Sequence, residues 1–542
     1  MTEINRARQV ANHASEYASV KDFGAVGDGA TNDYAAVLAA NAAGVSYFPS
    51  GVYLIPITVA TADITPLANA TIRGDGIGKT TIRFTSTETA NKQIYNITNT
   101  GVTFKDITID YVSTVNEDCQ LFDVRADDFT IDSCELNSDG TVAKDNVVQG
   151  FHIGNADFNN FTIKDSILHN FQRVFIRNNG DTNDVKNIVI SGNRIYDLNE
   201  GGVNLNFPLG SVTNVKVIGN HFENFLQGSE QIFCGGASVA NATVSDNIFE
   251  GTAKECIHFE EHGQNLTITG NVFDITDLSG TENVRGIFLS DNDVVGAYEQ
   301  PENVTITGNT FKNLDVAGSG TYTGIQAGSN GAGINSYKRL IISGNTIVGY
   351  DRGINLDYGE YIVTGNIISD CVIGIYAGHV KPDINDNNFM DCTTAISSSS
   401  RGGIAGVNSY RGSTTVATSA SGEHLCLTGF RLYHEADVVV GAGATVDTDI
   451  GIDIGANSDM SGNIVLAVVV NGTAYKNRYS AISWDGSTLT DTQTILTGSG
   501  SLTAVLVNNA NNLAVRVNNT SGVSMTVKSM TTEFNGLYVS NA

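Results

Sequence analysis

Residues 188–195 read IVISGNRI, and the phrase returns as VKVIGNHF (215–222), ATVSDNIF (242–249), LTITGNVF (266–273), VTITGNTF (304–311), LIISGNTI (340–347), YIVTGNII (361–368) and PDINDNNF (382–389). Its asparagine falls at 193, 220, 247, 271, 309, 345, 366 and 387, at intervals of 27, 27, 24, 38, 36, 21 and 21 residues. Repetition at such a period marks a solenoid. Alternating Val, Ile and Thr is a strand pattern, and no helical periodicity separates the phrases, so each period is a coil of short strands. Coils of this kind stack in parallel at about 4.8 Å and bury their apolar side chains between them. The asparagine then stacks on itself, each amide bonding the next, as in other stacked β systems.

A second strand lies between phrases and also aligns: Val174–Arg177, Val203–Asn206, Ile232–Gly235, Ile257–Glu260, Ile287–Ser290, Ile325–Gly328, Ile354–Asp357 and Ile375–Gly378. Its first and third positions are expected to point inward and its second and fourth outward. The outward positions include Phe175, Arg177, Asn204, Phe233, His258, Glu260, Phe288 and Asp357. Aromatics, amides and acids on one sheet face suit a polysaccharide groove, and Phe175, Phe233 and Phe288 are expected to be accessible there.

With 57 acidic against 30 basic residues the formal net charge is −27, which disfavours a nucleic-acid partner. The seven cysteines show no CxxC spacing and leave an odd one over, as free thiols made in a reducing compartment do. Cys371 and Cys392 are one local coil apart and are expected to stack in the core, with no metal site implied. Residues 1–19 carry Glu3, Arg6 and Arg8 among alanines and read as a linker helix, neither signal peptide nor membrane anchor. A helix over Asp33–Ala43, with Thr31 or Asn32 as N-cap and Gly44 as terminator, is placed to cap the open end of the solenoid. After residue 408 a Ser/Thr-rich crossover leads to longer alternating strands separated by Asn471-Gly472, Asp485-Gly486 and Ser521-Gly522, the pattern of an antiparallel sandwich.

The run VKDFGAVGDGATND (20–33), followed by the helix and YFPSGVYLI (47–55), resembles the N-terminal signature of the pectate-lyase-like superfamily of right-handed β-helices, and within it the bacteriophage tailspike depolymerases. With the coils, the resemblance spans 20 to about 408. It implies an all-β chain: a linker at 1–19, a cap and entry at 20–68, a right-handed parallel β-helix at 69–408, and a C-terminal β-sandwich at 409–542 for trimerisation or glycan binding. It further implies a homotrimer attached to a phage tail or adaptor through its N-terminus, located in the virion tail, and acting on a bacterial surface polysaccharide without membrane insertion.

Hydrolysis of a glycosidic bond needs one carboxylic acid and one carboxylate, about 5 Å apart for retention and 6.5–9.5 Å for inversion. Glu260 faces outward, Glu261 and His262 follow it, and the next coil ends in Ser290, Asp291, Asn292 and Asp293. Glu260 with Asp291 or Asp293 forms the expected catalytic pair, and the layout resembles that of tailspike endorhamnosidases. Substrate contacts are expected from Phe175, Arg177, Asn204, Phe233, His258, Glu261, His262, Phe288 and Asp357. Glu230 and Glu255, just before consecutive second strands, and Arg285 before the next, read as a charge ladder at the turn. Three classes remain open: an endo-hydrolase with no cofactor, a polysaccharide lyase for which Ca²⁺ would neutralise a uronate, and a non-catalytic glycan-binding fibre.

Overall fold

The computed structural model describes residues 18–58, 63–86, 92–113, 119–138, 148–153, 156–171, 173–176, 183–198, 201–223, 225, 230–251, 254–260, 263–275, 283–290, 302–313, 321–328, 337–357, 359–378, 382–398, 404–406, 408–412, 415–419, 424–440, 445–453, 458–470, 473–485, 489–497, 502–509, 512–519 and 525–541. They fall into two compact units, Met1–Leu266 and Thr267–Ala542.

Unit 1 begins with a 3₁₀ turn, Val20–Phe23, whose first turn is closed by the Asp22 carboxylate accepting from the Ser19 backbone N–H at 2.7 Å. The helix follows at Tyr34–Ala42 and ends before Gly44, which sits at φ 76°. Its N-cap is Asp33, one residue beyond the expected Asn32. The Asp33 carboxylate is turned back onto the Val26 and Gly27 N–H groups at 2.7 and 3.2 Å, so it orders the glycine-rich loop, while Asn32 accepts from the Tyr34 N–H at 3.0 Å.

Three parallel sheets then run along unit 1. One joins Gly51–Ile57, Thr80–Ser86, Thr108–Ser113, Glu135–Ser138, Ile167–His169, Arg194–Tyr196, His221–Glu223 and Ile248–Gly251. A second joins Thr71–Arg73, Thr103–Lys105, Phe129–Asp132, Phe158–Lys164 and Val185–Ser191. The third joins Lys92–Ile97, Cys119–Val124, Val148–Ile153 and Arg173–Ile176. Strands Gly201–Ile218 and Glu230–Ser245 serve the second and third sheets at once, and Glu255–Glu260 extends the third. Rings stack up the core in register: Tyr95, Phe122 and Phe151 lie 5.4 and 5.0 Å apart between centroids.

Unit 2 repeats the pattern. Val284–Ser290, Tyr322–Ala327, Arg352–Leu356, Ile373–Ala377, Thr394–Ser398 and Thr415–Ser419 form one parallel sheet, and the two strands flanking each Asn turn form the others. His424–Val440 pairs parallel with the last coil strands and antiparallel with Met525–Asn541. Antiparallel pairing continues through Ser458–Val470, Thr473–Asp485 and Leu489–Thr497, and a separate antiparallel sheet holds Thr445–Asp453, Asn512–Asn519 and Leu502–Asn509.

The repeated phrase has a direct physical reading. The residue before each asparagine is left-handed (Gly192, Gly219, Gly270, Gly308, Gly344 and Gly365 at φ 62° to 68°, Asp246 and Asp386 at 56° and 55°), which is why only Gly or Asp occurs there. The asparagine that follows is buried. In unit 1 Asn193 donates to Asn220 and Asn220 to Asn247, at 2.9 and 3.0 Å. In unit 2 the chain of amides runs Asn271, Asn309, Asn345, Asn366, Asn387, Asn408, with bonds of 2.9 to 3.0 Å. Each amide also donates to a core-strand carbonyl, so the turn leaves its polar groups paired. Among the described residues six cysteines are free, with Cys371 and Cys392 both buried as expected, and no helix is long and apolar enough to cross a membrane.

Candidate functional site

The inward positions of the second strand behave as the alternation requires: Val203, Leu205, Ile232, Cys234, Ile257, Phe259, Ile287, Leu289, Ile325, Ala327, Ile354 and Leu356 are buried. Between them the outward column runs in register, Asn204 opposite Phe233 and Phe233 opposite His258 in unit 1, and Phe288, Gln326, Asn355 and Tyr376 in unit 2.

Two expectations about that column need correction. Phe175 pairs with Phe151, a core ring, and it is Ile176 that pairs with His152 of the outward row. The alignment therefore slips by one residue at this strand, and a one-residue slip exchanges the two faces. Phe288 is only 8% exposed, because the Arg285 guanidinium lies over its ring, 4.2 Å from the centroid.

The strongest polar cluster in unit 1 forms where Glu230 and Glu255 are paired in register on neighbouring strands. His258, three residues after Glu255, brings Nδ1 to 3.0 Å from a Glu255 oxygen and 3.5 Å from a Glu230 oxygen. Glu255 and His258 are buried, Glu230 partly so. Burial opposes charge on the imidazole, but hydrogen bonds and charge from Glu230 and Glu255 overcome it and push its pKa up to about 9. The expected charge ladder is thus two carboxylates around a cation. Their potential ligand atoms all lie within 4.8 Å of one another, so the group can coordinate a divalent metal ion.

Further toward the N-terminus the same sheet carries Asn96, Asp123 and His152 in one outward row and Gln93, Gln120 and Gln149 in another, three residues earlier. Asp123, fully buried, accepts from Arg125 Nε at 2.7 Å and lies 3.0 Å from His152 Nδ1. Burial alone would raise its pKa; the bonds from His152 and Arg125 hold it below the ordinary value. The side-chain oxygens of Asn96, Gln149 and Asn204 are buried with no hydrogen-bond partner.

Of the other expected residues, Arg177, Glu261, His262, Asp291 and Asp293 lie outside the described residues, and Phe175, Phe233 and Glu260 are described by backbone alone. Asp357 is half-buried, its backbone carbonyl accepting from the buried Tyr361 hydroxyl. A Cβ at Gly378 would press on the Asp357 carboxylate, which would have to turn aside. Asp123, His152 and Arg125 have one signal in the sequence, the spacing of Asp123 and His152, close to one coil.

A family model described as rhamnogalacturonase A/epimerase, pectate lyase-like, matches residues 17–207. The N-terminal fragment of gene product 12 of bacteriophage Phi29 is similar in structure at TM-score 0.51 and 14% identity, covering 79% of this chain and 72% of that one. A double mutant of the tailspike protein of E. coli bacteriophage HK620, in complex with pentasaccharide, is similar at TM-score 0.50 and 11% identity, covering 97% and 94%. The chain folds as a right-handed parallel β-helix. The A-module of the mannuronan C-5 epimerase AlgE6 of Azotobacter vinelandii is a more distant β-helix neighbour, at TM-score 0.44 and 13% identity over 76% of this chain and 98% of that one. No curated protein sequence matches the chain.

Proposed function

We propose that this β-helix binds a bacterial surface polysaccharide, O-antigen or capsule, and cleaves it by endo-hydrolysis as the spike of a phage tail. The observation that carries the reading is the sheet of unit 1 that carries Asn96, Gln149 and Asn204, whose buried side-chain oxygens have no hydrogen-bond partner. These residues lie on alternate strands of the sheet, Asn96 and Asn204 in one row and Gln149 in the row three residues earlier. An unpaired buried acceptor costs about 1–3 kcal/mol, which a donor from a ligand recovers. Sugar rings carry hydroxyl donors all along a chain, and a neutral glycan suits a protein of net charge −27. The similar HK620 tailspike is described with a bound pentasaccharide, which supports the same class of ligand.

For the chemistry, Glu260 ends the strand that carries Glu255 and His258, and we assign it with Asp291 or Asp293 as acid and base. One carboxyl protonates the leaving oxygen while the other acts as nucleophile or activates water. The antiparallel C-terminal sheets serve as a sandwich that joins three chains, and the N-terminus joins the tail. A second reading, a cation-assisted lyase, draws support from the metal-competent Glu230, Glu255 and His258 group.

Mass spectrometry of oligosaccharides released from host polysaccharide tests the proposal. Products gaining one water per cut support hydrolysis, unsaturated ends mean lyase, and intact but bound glycan leaves a binding fibre. Glu260→Gln, Asp291→Asn and Asp293→Asn, made singly, should include at least one that slows cleavage on the order of 10²- to 10⁴-fold with binding retained. Near wild-type cleavage in all three would remove the assignment.

A further inference from the structure

We propose that Glu230, Glu255 and His258 form a binding site for a first-row transition-metal cation of the Zn²⁺ class. The inference stands on these three side chains and on the Asn204 oxygen beside them, which the glycan reading also uses, so Asn204 takes no part in the test below.

The geometry is already close to a coordination polyhedron. A tetrahedral ion with bonds of about 2.0–2.1 Å sets its ligand atoms about 3.3 Å apart. The two printed edges of the cluster, His258 Nδ1 to Glu255 and to Glu230, are 3.0 and 3.5 Å. The backbone fixes this arrangement: Glu230 and Glu255 are directly paired across neighbouring parallel strands, and Glu255 and His258 share one strand. Such ligands are held in place before any ion arrives.

The surroundings leave room. On the opposite neighbouring strand the partner of Glu230 is Gly201, which has no side chain to occupy that position. The Asn204 side chain lies across it, its amide nitrogen 4.0 Å from where a Gly201 Cβ would stand, and its buried oxygen lacks a hydrogen-bond partner. A cation, or a water bound to one, is the kind of partner such an oxygen wants.

Donor chemistry selects the ion. An imidazole nitrogen with two carboxylates suits Zn²⁺ and its first-row neighbours, whereas Ca²⁺ takes six to eight oxygens and Mg²⁺ keeps most of its water. Three protein ligands leave a fourth position open, the arrangement of zinc sites that also bind a water or substrate.

The test uses the untagged full chain, freed of metal with a chelator and dialysed against Zn²⁺, Mn²⁺ or Ca²⁺, with bound metal counted by plasma mass spectrometry. The expected result is about one Zn²⁺ per chain that millimolar Ca²⁺ does not displace, weakened at least tenfold by Glu230→Gln and by His258→Gln. Circular dichroism checks that each variant folds. Should either variant fail to fold, X-ray absorption at the zinc edge of the wild-type protein decides, with one nitrogen and carboxylate oxygens expected around the ion. A folded wild-type chain that takes up no Zn²⁺, uptake unchanged in both variants, a shell lacking nitrogen, or equal displacement by Ca²⁺ would each overturn the proposal and leave an ion pair.

Discussion

Each unit builds a parallel sheet of the same kind, but the charged residues beside its outward column differ. Three residues before the outward column, unit 1 carries Glu230 and Glu255, while unit 2 carries Arg285 and Arg352. In unit 2 each arginine closes the face over its own column. Arg285 lies over Phe288 and donates to Gln326 at 2.7 Å; Arg352 lies over Tyr376 at 4.3 Å from the ring centroid and donates to Asn355 at 3.3 Å. In unit 1 the acids gather around His258, and the amide oxygens of Asn96, Gln149 and Asn204 stay unanswered. A solenoid repeats its backbone at every coil, so function can be written into one column by changing a single row beside it.

The largest effect is expected where the units are alike. Asn220→Ala in unit 1 or Asn366→Ala in unit 2 removes a buried amide that bonds both neighbours, and should cost on the order of 2–4 kcal/mol, read as a lowered unfolding transition. A loss in one unit only would mean that the ladder is not the shared support.

Next comes the contrast itself. Asn204→Ala should weaken glycan binding about tenfold, the equivalent of about 1.4 kcal/mol, while Asn355→Ala, on the face closed by Arg352, should leave it unchanged. Equal effects on a binding isotherm would erase the distinction between the faces.

Smaller again is the cost of opening unit 2. Arg352→Met should lose about 0.5–1 kcal/mol of stability with no change in glycan affinity. Denaturant midpoints of the two proteins measure it, and improved glycan binding would show that arginine had been masking a second site.

The last prediction concerns acid. Asp123 has its pKa held below the ordinary carboxylate value by His152 and Arg125, against the pull of burial, so its contribution is present in full above about pH 4 and is lost as pH falls through the depressed value. Asp123→Asn should flatten the acid limb of the stability profile, and an unchanged limb would show that other carboxylates set it.

Much of this was legible before any coordinates. The Gly-Asn and Asp-Asn phrase announced a stacked turn, since few residues adopt a left-handed backbone cheaply and an asparagine amide is the right length to bridge coils. Alternation also gave the inward residues from Val203 to Leu356 without error. It says which way a side chain leaves the backbone but not what lies on top of it, so Phe288 was expected in solvent although Arg285 stands three residues upstream. At Phe175 it is the alignment that differs: register is a property of the neighbouring strand, and pairing with Phe151 shifts it by one. Glu230, Glu255 and Arg285 read as a charge ladder, but the group that stands between the two acids is His258, three residues further along the strand.

Between Asn345 and Asn408 the ladder repeats three times at an identical spacing of 21 residues. Each of these coils offers its upper neighbour the contacts it receives from its lower one. One such coil can therefore be excised or copied whole, for example residues 367–387, and the cut surfaces still match. The length of the solenoid then becomes an inheritable quantity that changes in steps of about 4.8 Å, by recombination between like coils and without a new interface having to arise.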